Sequence, residues 1–369
     1  MKIAFDYQAF TMQSYGGVSR YYSIVADQLL RKSEDVRIFA GIHKNSYLTN
    51  LPDGVVKGKK VSKYPIKTDR VFHLINYGIS QMSMKAWRPD IVHETYYSAL
   101  PTCNMQSIRV TSVHDMIHEL FSTQFSKYDT TTQRKMKAFD RVDHIISVSQ
   151  NTKKDLIKLF NIDESKISVV HLGVDQELFG TNNINSQFKD QSYILFVGSR
   201  DGYKNFIGFL KACAASKVIK NQIIIIAFGG GQFSQYEESI IASLGFLDGY
   251  VVQMNGNDEI LASLYASAIC LVFPSLYEGF GLPPLEAMAA KCPVVCSNTS
   301  SMPEVINDAG IYFNPNSLEE MRSAIESIIT DEELRDNIIT LGLQNIKNFS
   351  WQKCADETLD IYQKVTGKT

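Results

Sequence analysis

Short apolar runs alternate along the whole chain with longer stretches in which apolar residues recur at helical spacing. In the first half the runs Ile3 to Tyr7, Val36 to Ala40, Ile91 to Glu94, Arg109 to His114, His144 to Ser149 and Ile167 to His171 read as strands. In the second half the corresponding runs are Tyr193 to Val197, Ile223 to Phe228, Tyr250 to Met254, Cys270 to Pro274, Val294 to Ser297 and Ile311 to Phe313. Strands that alternate with helices predict parallel sheets covered on both faces, so the chain reads as two doubly wound α/β domains. The segment Gly180-Thr181-Asn182-Asn183-Ile184-Asn185-Ser186-Gln187 is polar, turn-rich and without period. It puts the linker at 173–191, with a first domain over 1–172 and a second over 192–351. After Ser350-Trp351 a last helical stretch, 352–369, ends the chain. Ligands of such sheets bind beyond the carboxyl ends of the strands, and two such domains facing each other make a cleft.

Those strand ends are where the chemistry gathers. In Phe273-Pro274-Ser275-Leu276-Tyr277-Glu278-Gly279-Phe280-Gly281-Leu282-Pro283-Pro284-Leu285-Glu286 the glycines and prolines forbid one continuous helix from 278 to 286. Pro284 suits the first helical position, which places Glu286 in the first turn and leaves Glu278 in the loop above it. A fixed carboxylate offers only acceptor oxygens and suits sugar hydroxyls. The N–H groups of Gly281 and Leu282 at a helix start suit phosphate. Hydroxyls plus phosphate describe a sugar nucleotide, although a solvated turn glutamate and a capping glutamate would leave a similar trace.

This segment resembles the E-x7-E signature of the retaining glycosyltransferases of family 4, the group 1 glycosyltransferases, and supporting motifs follow in that family's order through nearly the whole chain. They are Gly16-Gly17-Val18, His114-Asp115, Val197-Gly198 with Lys204-Asn205, Pro293-Val294-Val295 and Pro303-Glu304-Val305. The resemblance implies the GT-B fold, two Rossmann-like domains facing each other across a cleft, the first on the acceptor side and the second binding the nucleotide sugar, with 352–369 crossing back onto the first. It also implies transfer of a hexosyl group from a nucleoside diphosphate sugar to an acceptor hydroxyl, with no cofactor besides the donor, as in bacterial surface polysaccharide or glycolipid assembly. Lys204 would neutralise the diphosphate as leaving-group charge develops. Glu286 would hold the ribose hydroxyls, and Glu278 with His114 would position the donor sugar. Gly16 and Gly17 lack a Cβ and would let backbone approach phosphate closely. Arg200 is a second candidate phosphate ligand, although the family's basic residue stands directly after the glycine, where this chain has Ser199.

Other features exclude or bound alternatives. A G-x-G-x-x-G fingerprint is missing after the first strand, which disfavours a nicotinamide enzyme. His114 and His118 imitate a zinc helix, but the strand-like Ile108 to Val113 puts His114 at a strand end; with no D-x-D either, metal ions are expected to be unnecessary. A nucleotide-sugar epimerase and a non-catalytic sugar-nucleotide-binding subunit share the pattern and stay open.

Of the 369 residues 44% are hydrophobic and 21% charged, which fits two globular domains. The six cysteines form no C-x-x-C pair and several sit in apolar runs, as in reduced, cytosolic proteins. The N-terminus reaches Asp6 before any apolar stretch of signal length, and the uncharged window from Ile260 to Tyr277 is broken by Pro274 and serines, so a cytoplasmic protein without a spanning segment is expected. Net charge is −2, but residues 1–175 carry 24 Lys/Arg against 17 Asp/Glu and residues 176–369 carry 13 against 22. One basic cluster is Lys57, Lys59, Lys60, Lys63, Lys67 and Arg70, followed by the apolar-rich Val71 to Tyr77; another is Arg134, Lys135, Lys137 and Arg141. Neither carries base-stacking aromatics in a nucleic-acid module. The first suggests a peripheral contact with an anionic membrane, where a lipid-linked saccharide acceptor would be presented; either could be ordinary solvated surface.

Overall fold

The computed structural model describes residues 1–103, 106–180, 191–200 and 202–368. It separates into two compact units, Met1–Gly173 with Trp351–Thr369, and Val174–Ser350.

The N-terminal unit is built on seven strands, all paired in parallel: β1 Lys2–Phe5, β2 Asp35–His43, β3 Val56–Lys60, β4 Ile91–Glu94, β5 Ile108–Val113, β6 His144–Ser147 and β7 Ile167–Val169. Their spatial order is β3-β2-β1-β4-β5-β6-β7, so the winding direction reverses between β1 and β4. β4 and β6 are buried along their length and β1 beyond Lys2, which is why short apolar segments without polar alternation mark them in the sequence. β3 is different. Its Val-Lys-Gly-Lys-Lys sequence lies at the sheet edge with four of five residues exposed, and it has no apolar alternation from which a strand could be read. A Cβ on Gly58 would come within 2.4 Å of the Gly41 carbonyl oxygen, so glycine lets this edge strand pair where the register of β2 shifts.

The final helix, Trp351–Thr366, packs against the helix Gly17–Arg31 in this unit. Buried polar contacts tie it down: Tyr362 Oη lies 2.5 Å from His93 Nδ1, His93 Nε2 lies 3.0 Å from Ser112 Oγ, and Ser112 Oγ lies 3.0 Å from Tyr21 Oη. Burial lowers the His93 imidazole to about 3, so it stays neutral inside this network.

The second unit carries six parallel strands, β8 Tyr193–Val197, β9 Ile224–Phe228, β10 Val251–Met254, β11 Cys270–Phe273, β12 Val294–Ser297 and β13 Ile311–Phe313, in the order β10-β9-β8-β11-β12-β13. Here the reversal falls between β8 and β11. Phe196, Phe206, Phe209, Val272, Ile325 and Ile328 are among the buried residues of its core. The linker expected at 173–191 begins too early. Residues 174–180 belong to this unit: Asp175 caps the short helix Gln176–Phe179, and Phe179 is buried edge-on to Tyr265. Positions 181–190 of that expected linker lie outside the described residues.

Among the described residues no helix is long and apolar enough to cross a membrane. None of the six cysteines is in a disulfide and all are buried, and burial pushes thiols up, as at Cys213 and Cys270, leaving these poor nucleophiles.

Candidate active site

The second unit brings Lys204 and Glu278 together at its topological reversal. Lys204 ends a 3-10 turn, Gly202–Lys204, after β8; Glu278 lies in the loop after β11. Lys204 Nζ donates to Glu278 Oε1 at 2.7 Å, and both side chains are mostly buried. Gly198, directly after β8, has a φ of +132, a conformation side chains rarely adopt; a Cβ there would lie 3.9 Å from Lys204 Nζ, ordinary contact, so the backbone and not the space asks for glycine. The two loops are also joined through their backbones, since Leu276 N–H donates to the Tyr203 carbonyl at 2.8 Å.

Three hydroxyl residues that sequence reasoning missed hold the Glu278 loop in shape. Thr299 Oγ1 donates to the Leu276 carbonyl, Ser300 Oγ accepts from Glu278 N–H at 2.9 Å, and Ser301 Oγ donates to the carbonyls of Glu278 and Phe280. The signal was present in the run Asn298-Thr299-Ser300-Ser301 after β12, because clustered small hydroxyl residues at a strand end satisfy loop carbonyls that no ladder can reach.

The helix after this loop runs Leu282–Ala289 with Gly281 at its N-cap, two residues earlier than Pro284 alone suggested. Glu286 therefore lies beyond the first turn, not in it, and the dipole argument for its ionisation loses most of its force. It is instead a buried carboxylate that accepts from Tyr265 Oη at 3.4 Å. Pro283 and Pro284 carry no N–H, so the donors at this helix start come from Gly281 and Leu282. Gly281 has φ +114, and a Cβ there would come within 2.5 Å of Met302 Cε.

Arg200 does not stand ready for a phosphate. Its Nε donates to Glu237 Oε1 at 2.5 Å, Nη1 to the Gly229 carbonyl at 2.8 Å, and Nη2 to the carbonyls of Gly231 and Gln232 at 3.0 and 2.9 Å. Gly229, Gly230 and Gly231 all have positive φ, so their carbonyls converge as a chelate for one guanidinium. Arg200 organises the loop after β9, where its Nε, Nη1 and Nη2 all donate.

In the N-terminal unit Gly16 is the N-cap of the helix Gly17–Arg31. A Cβ on Gly16 would strike the Gln13 side chain at 2.4 Å, whereas one on Gly17 would meet open space. At Gly16 the neighbour is the end of the Gln13 side chain, which can shift, and Gly17 leaves an open approach to a helix start. His114 follows β5, edge-on to Tyr21 at 5.2 Å between ring centroids. Burial lowers its imidazole to about 4, against a smaller upward pull from Asp115, and its Nε2 is buried without a hydrogen-bond partner. A neutral ring with an unspent nitrogen is suited to a ligand hydroxyl. His118 turns elsewhere: its Nδ1 lies 2.9 Å from Asp129 Oδ2 and its ring stacks on Phe125.

The second basic cluster divides. Lys135 is buried and donates to Glu119 Oε2 and the Asp115 carbonyl, both at 2.8 Å, and Arg141 is paired with buried Glu94. Arg134 and Lys137 remain exposed.

Two family models match this chain, one described as Glycosyltransferase Family 4 over residues 15–178 and one described as Glycosyl transferases group 1 over residues 181–344. The O-antigen chain mannosyltransferase B of Escherichia coli is 31% identical over 241 residues, a match that spans 62% of this chain and 62% of that protein. The O-antigen chain mannosyltransferase RfbU of Salmonella typhimurium is 29% identical over 325 residues, 86% of this chain and 88% of that protein. Among solved structures, Anabaena Alr3699/HepE in complex with UDP-glucose superposes with a TM-score of 0.74 at 17% identity, over 99% of this chain and 100% of that one. With the E-x7-E loop and the doubly wound sheets, these matches place the fold as GT-B, and the chain belongs to the group 1 glycosyltransferases of family 4.

Proposed function

We propose that this protein is a metal-independent, retaining hexosyltransferase that moves a mannosyl group from a nucleoside diphosphate sugar to a hydroxyl of a saccharide or lipid-linked saccharide, in bacterial surface polysaccharide assembly. The observation that carries the reading is the Lys204–Glu278 pair at the β8/β11 reversal. The choice of mannose is supported by the names of the two relatives, and the choice of donor class by the UDP-glucose complex of the structural neighbour.

In the reaction the bond from sugar C1 to the diphosphate oxygen breaks, its electron pair stays on the departing diphosphate, and C1 joins the acceptor oxygen as that hydroxyl loses its proton. Lys204 meets the charge that builds on the diphosphate. Glu278 keeps the ammonium aimed before the donor arrives, so little reorganisation remains for the reacting complex. Glu286 accepts from the ribose hydroxyls, the N–H groups of Gly281 and Leu282 meet phosphate oxygens, and the neutral His114 hydrogen-bonds the donor sugar. Gly16 and Gly17 give backbone access on the N-terminal side. The reaction takes place at an anionic membrane face, contacted through the lysines of β3 and the exposed Val71, Leu74 and Ile75 of the helix Asp69–Trp87.

The test is an assay of purified protein with a panel of nucleoside diphosphate hexoses and saccharide acceptors, with product anomeric configuration read by NMR. Transfer with retention, unaffected by EDTA, is expected. Inversion, or activity lost to EDTA and restored by magnesium or manganese, overturns the mechanism. Turnover of the donor sugar without any acceptor would make the protein an epimerase instead.

A further inference from the structure

The N-terminal unit has its own crevice at its own reversal. A cavity of about 610 Å³ opens where β1 and β4 part, lined from the segment after β1 by Gln8 and Thr11 and from the segment after β4 by Tyr96 and Tyr97. This volume lies within the range of small-molecule sites, and the position is the one an open parallel sheet reserves for a ligand.

Its charge is unbalanced. Lys44, Arg70 and Arg134 line it against a single lining carboxylate, Asp69, and Asp69 already lies 3.9 Å from Lys44 Nζ. Arg70 and Arg134 are exposed, and among the described residues their side chains have neither a carboxylate partner nor a hydrogen bond. His73 adds a ring held edge-on to Tyr7, with its Nε2 at 3.4 Å from Tyr7 Oη, and burial, with Arg134 next in effect, lowers its imidazole. A neutral His73 can therefore hydrogen-bond without adding charge. Tyr64, stacked on Phe72 with centroids 4.4 Å apart and with Lys44 Nζ over its ring at 5.3 Å from the centroid, supplies a fixed aromatic wall. Two unspent guanidinium groups, a neutral imidazole and tyrosine walls form a site for a ligand with phosphoryl oxygens at one end and a sugar-like body at the other.

The glycosyltransferase reading puts the acceptor on this unit; we propose that the acceptor is a phosphate-bearing saccharide whose phosphoryl group is held in this cavity by Arg70 and Arg134. The proposal rests on the glycosyltransferase reading and adds the acceptor's chemical class to it. A phosphorylated sugar can come free in solution or attached through a diphosphate to a lipid. Leu74 lines the cavity and is 68% exposed, and Val71 and Ile66 are exposed on the chain around it, so a lipid tail would find apolar surface beside the phosphate.

The test is calorimetry on the full chain, with the nucleoside diphosphate that it binds present at saturation so that the donor site is filled. The probes are mannose 1-phosphate, methyl α-mannopyranoside and farnesyl diphosphate. Mannose 1-phosphate should bind at least 10-fold more tightly than the uncharged glycoside. R70Q/R134Q should weaken it by 10-fold or more while leaving the nucleoside diphosphate Kd within two-fold, and R70K/R134K should restore part of the loss. Farnesyl diphosphate binding 10-fold more tightly than mannose 1-phosphate, with that excess removed by L74S, would assign the lipid-linked source; equal or weaker binding would assign the soluble one, and both support a phosphate-bearing acceptor. Equal affinity for the charged and uncharged sugars, no effect of R70Q/R134Q, or no binding of either phosphate probe overturns the proposal. If wild type binds no nucleoside diphosphate, the glycosyltransferase reading fails by itself, and titration of the phosphate probes still decides what this cavity takes. Both arginines are exposed and unpaired, so the variants are expected to fold, which circular dichroism checks.

Discussion

The two units reverse their sheets in the same way, between β1 and β4 and between β8 and β11, yet the two crevices are finished in opposite styles. At β8/β11 the cation is already matched: Lys204 is held by Glu278 at 2.7 Å, and the loop beneath is pinned by Thr299, Ser300 and Ser301. At β1/β4 the cations are left open, with Arg70 and Arg134 at a cavity rim and one carboxylate among the lining residues. Charge that is compensated in the resting protein serves positioning, because the group is fixed before the ligand arrives and little must be reordered during reaction. Charge that is left uncompensated on flexible, exposed side chains serves capture, and its effect falls with salt. On the proposed function, the pairing separates a crevice for chemistry from one for recognition.

Removing Lys204 tests the first half of this contrast and carries the largest expected effect. K204A leaves the departing diphosphate without its cation, and kcat/KM should fall by about 10²-fold or more, through kcat more than through KM. A near-normal kcat/KM would mean that the ion pair only fastens two loops. E278Q should keep the fold but lose the aim of the ammonium, and a smaller loss than in K204A is the signature of a positioning residue.

The second effect concerns His114, which the sequence marked and the structure leaves with a buried, unpartnered Nε2. Its imidazole is lowered to about 4, below the unfolded value near 6.5, so the unfolded chain binds the extra proton first as pH falls. The neutral ring's contribution is complete above about pH 6.5 and is lost as pH falls toward 4. At pH 5 the loss is about 2 kcal/mol for this one group. Asp6 and Glu94 are raised by burial, and each acts in the opposite sense, so raw stability curves mix the terms. The difference between wild type and H114Q isolates the histidine: between pH 7.5 and pH 5, wild type should lose about 2 kcal/mol more than H114Q in denaturant titrations. Parallel curves would mean that the ring titrates as an ordinary exposed imidazole.

How much of this was legible in the sequence follows the same division. The β8/β11 crevice is written in adjacent letters, since the turn after β11 needs Gly279, Gly281, Pro283 and Pro284 within a few positions, and such a cluster of breakers stands out in one sequence. Arg200 shows the limit, because a basic residue beside a phosphate loop looks the same whether its donors face a ligand or, as here, the carbonyls from Gly229 to Gln232. The β1/β4 cavity was not legible at all. Its lining comes from Gln8, Lys44, Tyr64, Arg70, Tyr96 and Arg134, six places with no common local pattern, which only the sheet order brings together. β3 was missed for a related reason, since an edge strand of lysines carries none of the apolar alternation that marks a buried one. The start of the helix at Leu282 was misplaced because proline tolerates any of the first helical positions, and only the φ of Gly281 decides which.

Glu286 sharpens the comparison from the other direction. It is buried and accepts from Tyr265 Oη, and a carboxylate offers only acceptor oxygens, so it is suited to a ligand's hydroxyls. E286Q should weaken nucleoside diphosphate binding by about 10-fold, one charge-assisted hydrogen bond being worth roughly 1.5–3 kcal/mol. Unchanged affinity in calorimetry would make Glu286 a structural partner of Tyr265 alone.

The smallest effect at physiological ionic strength concerns the basic edge beside the β1/β4 cavity. Lys57, Lys59 and Lys60 are exposed on β3, and lysines on an edge strand have a purely structural reason to be there, because they keep a second strand from pairing. A membrane contact demands more: charges and apolar groups must act on one surface. Ile66, Val71, Leu74 and Ile75 are exposed next in the chain to those lysines, Ile66 at 90% and Leu74 at 68%. Each basic residue near an anionic bilayer contributes on the order of 1 kcal/mol, so three removed together should reduce binding to vesicles containing phosphatidylserine or phosphatidylglycerol by about 10²-fold or less at low salt. At physiological ionic strength the screening length is about 8 Å, so the difference should shrink to a few-fold. Co-sedimentation with neutral and anionic vesicles, comparing wild type with K59S/K60S/K63S, separates the two roles. Salt-sensitive binding lost in the variant makes the edge a membrane contact. Equal binding to both vesicle types, with the variant more prone to self-association, makes the lysines a guard against strand pairing and confines capture of anions to the cavity lined by Arg70 and Arg134.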